Sequence, residues 1–73
     1  MIPNKPILDK ALDIFKVLLA RQEISREDDR DLYEDYLYNG EVEEMVRYIA
    51  DKLELEIYHY HEKIFMTPGI DNK

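Results

Sequence analysis

Few residues in this chain have side chains suited to chemistry. His59, His61 and Glu62 form the one group with metal-ligating side chains. On an extended strand, positions 59 and 61 project to the same face, so two imidazoles could share a divalent ion. A zinc site needs three or four fixed ligands, and the third would have to come from elsewhere in the chain. No metal is therefore expected. Asp28, Asp29, Asp31, Glu34 and Asp35 supply neighbouring carboxylates, which work as an acid–base pair only where burial separates their pKa values. A dense charge run on a short helix is instead expected to face water. Ser25 and Thr67 are the hydroxyl nucleophiles besides tyrosine, and neither has a His–Asp pattern beside it. There is no glycine-rich phosphate loop. The sequence thus predicts no catalytic residues, no cofactor and no enzyme.

The tyrosines are the more informative excess: Tyr33, Tyr36, Tyr38, Tyr48, Tyr58 and Tyr60. Tyr33 and Tyr36 fall in a helical apolar stripe and are expected in or near the core. Tyr38, Tyr48, Tyr58 and Tyr60 are expected at the surface. Tyrosine is enriched at interface hot spots because a rigid ring supplies contact area at low entropic cost. The alternative is that these rings lie along the protein's own surface with wet hydroxyls.

These side chains must be positioned by four or five short elements. Pro6 is suited to a first helical turn. After it, Leu8, Ala11, Leu12, Phe15, Leu18 and Leu19 recur at helical spacing, widened by Ile14 and Val17, which predicts a helix from Pro6 to Arg21. Ile24-Ser25-Arg26-Glu27-Asp28 reads as a helix start, with Ser25 capping the amide of Asp28, so a second helix is expected over Arg26–Tyr38. Asn39-Gly40 then ends it, either residue being able to take a left-handed cap. Val42, Met45, Val46, Ile49, Ala50 and Leu53 form the cleanest stripe, on a third helix from Glu41 to Leu53. Thereafter the period falls to two. Leu55, Ile57 and His59 alternate with Glu56, Tyr58 and Tyr60 as one strand, Tyr60-His61-Glu62-Lys63 breaks it, and Ile64–Thr67 forms another, stopped by Pro68-Gly69. An isolated hairpin is marginal in water, so this one must pack on the helices. The tail from Ile70 to Lys73 has no pattern and is expected to hang free or lead into further sequence.

At 73 residues the chain has room for one domain with one modest core. It has no cysteine, which excludes disulfides and cysteine-based zinc sites. No segment approaches the length of an apolar membrane span, and the expected location is the cytoplasm. The formal net charge of −7 opposes nucleic acid and anionic membranes, because affinity for phosphate comes mainly from lysine and arginine.

The fold class these elements predict is α+β, mainly α: a single three-helix winged-helix-like domain over residues 1–73 with a C-terminal β-hairpin. In DNA-binding winged helices the third helix enters the major groove. Here its exposed residues would be Glu41, Glu43, Glu44, Arg47, Tyr48 and Asp51, mostly acids, and the hairpin tip offers only Lys63. Lys5, Lys10, Lys16 and Arg21 lie on the first helix, which is not the groove reader.

The order Ala11-Leu12-Asp13-Ile14-Phe15, Leu18-Leu19, Ile24-Ser25-Arg26-Glu27, Leu32-Tyr33, Val42, Leu53 through Tyr58 and Ile64-Phe65-Met66-Thr67-Pro68-Gly69 resembles the N-terminal part of a family of uncharacterised bacterial proteins. That family looks like the winged-helix kite subunits of SMC-like complexes, such as the MukE-like subunit of Wadjet plasmid-defence systems. The resemblance implies tandem winged helices that dimerise and bind a kleisin partner, with this chain as a fragment, such as the first domain, or a reduced relative of the longer members. It carries over no functional residue, because the matching pattern is core. The leading expectation is a non-enzymatic protein–protein interaction module, acting with a protein partner or as a homodimer. Its surface would comprise Glu43, Glu44, Arg47, Tyr48, Tyr58 and Tyr60. The alternative is a transcriptional regulator that binds DNA through the third helix.

Overall fold

The structure, a computed structural model, describes residues 4–69. The expected free tail at Ile70–Lys73 lies outside the described residues. Three helices and three strands follow one another as α1 (Lys5–Arg21), β1 (Glu23–Ser25), α2 (Arg30–Tyr38), α3 (Gly40–Lys52), β2 (Leu55–Tyr60) and β3 (Lys63–Pro68). The strands form one antiparallel sheet in the order β1-β3-β2. This is the expected α+β, mainly α, winged-helix-like layout, with one strand more than the sequence reading contained.

That strand corrects the reading of residues 24–29. The Ser25 hydroxyl does accept from the Asp28 amide at 2.9 Å, as a capping serine would. However, Ile24 and Ser25 pair with Ile64 and Lys63 of β3, and Ile24 is fully buried. The serine therefore closes a turn, and α2 begins only at Arg30, behind Asp29. The Asp29 carboxylate makes no cap and accepts instead from Arg21 Nη1 at 2.9 Å. The long-range pairing that buries Ile24, a gain of about 1.5–3 kcal/mol, makes this segment a strand while the serine keeps its local bond.

Asn39 is a second correction. It is extended, with φ −123°, and no glycine among the described residues has a positive φ. Rather than closing α2 in a left-handed cap, Asn39 opens α3, its Oδ1 accepting from the amides of Glu41 at 3.1 Å and Val42 at 3.4 Å. Left-handed residues follow α1 and α3 instead: Gln22, φ 67°, donates its amide to the Leu18 carbonyl at 2.7 Å, and Glu54, φ 59°, donates to the Asp51 carbonyl at 3.1 Å.

The core lies between the helices and one face of the sheet. Ile14, Leu18, Val42 and Val46 meet Ile24 and Ile64 there, and all six are completely buried. Leu12 and Leu19, assigned to the α1 stripe by spacing, are exposed, whereas Ile14 at its margin is central. Leu53 likewise falls outside α3 and is exposed. At the sheet's end Gly69 donates its amide to the Glu54 carbonyl at 2.8 Å. A Cβ at Gly69 would lie 2.9 Å from that oxygen, so the closing Thr67-Pro68-Gly69 locks β3 onto the α3–β2 loop.

Candidate functional site

The hairpin and α3 together carry the residues singled out by sequence. In β2, alternation sends Ile57 into the core and leaves Tyr58 and Tyr60 exposed. A two-residue turn, His61 at φ 52° and Glu62 at φ 58°, joins β2 to β3 in the doubly left-handed form that suits sheet twist. Tyr58 sits opposite Phe65, and their rings stack with centroids 5.2 Å apart. On α3, Glu43 and Arg47 are one turn apart, with Arg47 Nε donating to Glu43 Oε2 at 3.1 Å. Arg47 Nη1 also donates to the Ile57 carbonyl at 3.3 Å, joining helix to strand.

Between α3 and β2 runs an open groove of about 540 Å³ lined by Arg47, Tyr48, Asp51, Leu55, Glu56, Ile57 and Tyr58. Beside it a shallower hollow is bounded by Tyr38, Glu41, Glu43, Glu44 and Arg47. The structure thus brings Arg47, Tyr48 and Tyr58 together in the groove and places Glu43 and Glu44 in the adjoining hollow, with Arg47 shared. Tyr60 stands apart at the end of the hairpin, its ring edge-on to His61 with centroids 4.1 Å apart. The exposed set of tyrosines is Tyr38, Tyr48, Tyr58 and Tyr60, and Tyr33 and Tyr36 are buried, as the stripe predicts. Asp51, Glu56 and Tyr38 join the site although sequence reasoning left them out of it. The alternation of β2 already marked Glu56 as outward-facing, and Asp51 lies one turn beyond Arg47.

Cations near this face are already engaged. Arg47 pairs with Glu43 and Lys63 approaches Glu23 at 3.8 Å, while the Lys52 ammonium lies 5.2 Å above the Tyr48 ring. Arg26 pairs with Glu62 at the hairpin turn. Asp51 and Glu56 enter no ion pair among the described residues.

The two histidines do not share a face. His59 is exposed but meets Tyr33, its Nε2 2.6 Å from the Tyr33 hydroxyl, whereas His61 occupies the turn. The alternation rule fails at position 61 because a left-handed turn residue is no longer part of the strand. Burial raises the Tyr33 phenol above its ordinary pKa, and the Glu62 carboxylate adds to this. Tyr36 is also raised by burial, opposed by the Arg47 guanidinium and reinforced by Glu43. Its hydroxyl is buried with no hydrogen-bond partner among the described residues. The carboxylates of 28–35 are at least partly open to water, and Asp29 and Asp35 are paired with Arg21 and Lys10. No helix among the described residues is long and apolar enough to cross a membrane.

Over residues 1–73 the sequence matches a family described as "Family of unknown function (DUF6063)". No curated protein and no solved structure matches it.

Proposed function

This chain belongs to the DUF6063 family, and from that premise we propose that it is a non-enzymatic protein–protein interaction module working through the face made by α3 and the hairpin. The observation that carries the reading is the pairing on this face of exposed tyrosines with unpaired acids. Tyr48 and Tyr58 flank a groove whose free charges are Asp51 and Glu56. Tyrosines are suited to anchor a protein partner, and unpaired acids favour basic groups on it. The element order and the resemblance to kite subunits favour a setting in an SMC-like complex that handles chromosomes or plasmids, in the cytoplasm. The alternative, a transcriptional regulator reading DNA with α3, draws support from the winged-helix-like order alone. Its groove-facing residues would be Glu41, Glu43, Glu44, Arg47, Tyr48 and Asp51, an inventory poor in phosphate contacts.

A photo-crosslinking residue placed at Tyr48, and another at Asp13 on the exposed side of α1, tests the reading in cells. Specific protein adducts from position 48 and not from position 13 are the expected result. Adducts confined to position 13, or none from either, overturn it. Binding of duplex DNA at low salt, lost when Arg47 becomes glutamate, would establish the alternative.

A further inference from the structure

The sheet has one short edge strand and one long one. β1 is only three residues long, and the Ser25 carbonyl at its end is taken by the Asp29 amide at 2.9 Å. β2 is six residues long and forms the other edge. Its open groups follow from the register. The Met66 amide donates to the Gln22 carbonyl at 3.2 Å, so the backbone groups of Ile64 and Met66 face β1. Those of Lys63, Phe65 and Thr67 therefore face β2, where they meet Tyr60, Tyr58 and Glu56. The N–H and C=O groups of Leu55, Ile57 and His59 are left pointing outward, into the groove beside α3. The single side-chain bond onto this edge among the described residues comes from Arg47 to the Ile57 carbonyl. Edge strands are commonly protected by lysine, proline or a bulge, and Leu-Glu-Ile-Tyr-His-Tyr contains none of these.

We propose that the open edge of β2 accepts an extended, basic peptide segment of a protein partner as a fourth strand. This deepens the interaction-module reading and rests on it. Strand addition supplies affinity through main-chain hydrogen bonds and specificity through alternate side chains. On the outer face, an added strand's side chains would neighbour Glu56, Tyr58 and Tyr60, where lysine or arginine finds an unpaired carboxylate and an aromatic face. On the inner face they would enter the groove past Tyr48, Asp51 and Leu55, which suits a small apolar residue flanked by a basic one. Arg47 is half exposed and must swing off the Ile57 carbonyl to admit the strand. A second copy fits the edge less well, because each copy brings a net charge of −7 and its own Glu54 and Glu56 to the junction.

The test is an NMR titration of the full chain with three synthetic peptides. One alternates valine with lysine and arginine, one carries glutamate in place of the basic residues, and one is the basic peptide N-methylated at alternate amides. The expected result is movement and slowed exchange of the Ile57 and His59 amides with the basic peptide. The glutamate and N-methylated peptides should each bind at least roughly tenfold more weakly. The double variant Asp51→Lys, Glu56→Lys should reverse the charge preference. Equal binding of the N-methylated peptide, absence of binding at millimolar peptide, or shifts confined to other surfaces each overturn the proposal. So does a dimer, seen by light scattering, whose Ile57 and His59 amides are protected without peptide. Adducts from position 48 alongside any of these failures leave the interaction module standing and remove only the strand addition.

Discussion

Arg47 Nη1 meets the Ile57 carbonyl at 3.3 Å while its Nε holds Glu43, so a single side chain ties α3 to the edge of β2. The bond to Glu43 is exposed and the bond to the Ile57 carbonyl is only partly buried, which limits what each contributes. Arg47→Ala is expected to destabilise the fold by about 1 kcal/mol, below the range for buried bonds to charged groups. In a domain this small that lowers the melting temperature by about 4–8 °C. Arg47→Lys should recover little of it, because an ammonium lacks the planar fork that spans two acceptors. Thermal unfolding of the two variants checks both statements.

The buried phenols predict a loss of stability in alkali. Tyr33 and Tyr36 have folded-state pKa values raised above the ordinary value of about 10. Above that pH the unfolded chain releases these protons first and binds fewer than the folded one, so stability falls as pH rises. The contribution is complete below about pH 10 and is lost as pH climbs through the folded-state values. Urea midpoints should be level between neutrality and that point and then decline. Tyr36→Phe removes a hydroxyl with no partner, so it should be neutral or stabilising by up to about 1 kcal/mol and should flatten the alkaline decline.

Asn39 follows α2 directly, and its side chain caps α3. Asn39→Ala removes the acceptor for the Glu41 and Val42 amides and should cost about 1 kcal/mol, whereas Asn39→Ser should keep most of the stability. Circular dichroism melts of the pair distinguish loss of the cap from loss of the amide group itself.

The hairpin turn is strained by its residue types. His61 and Glu62 both adopt the left-handed region, which costs a residue with a Cβ about 1 kcal/mol or more. Replacing them as His61→Asn with Glu62→Gly should raise stability by about 1 kcal/mol, net of the exposed Arg26–Glu62 pair, which is worth little. A higher denaturation midpoint with an unchanged β2–β3 register is the expected outcome.

Periodicity made the three helices and the hairpin legible, because each buries one face against a common core. Alternation alone placed Tyr58 and Tyr60 outside, and the third helix's stripe placed Glu44, Arg47 and Tyr48 outside. The same patterns mis-sorted the margins. Leu12 and Leu19 fit a helical stripe on spacing yet are exposed, while Ile14 is buried, because the direction from which the sheet and α3 approach α1 is not written in α1.

The sequence by itself determined the element types, their order and which tyrosines are buried, since these follow from short-range spacing and from the burial each element requires. Only the tertiary structure decided that Ile24 and Ser25 form a third strand, that His59 turns to Tyr33 and away from His61, and that Arg47 reaches the Ile57 carbonyl. Each depends on a partner distant along the chain, or on which edge of a sheet is left unpaired. The acidic, tyrosine-bearing face of α3 and the hairpin was therefore visible in the residues, but the open strand edge at its centre was not, because an edge exists only once the other strands have paired.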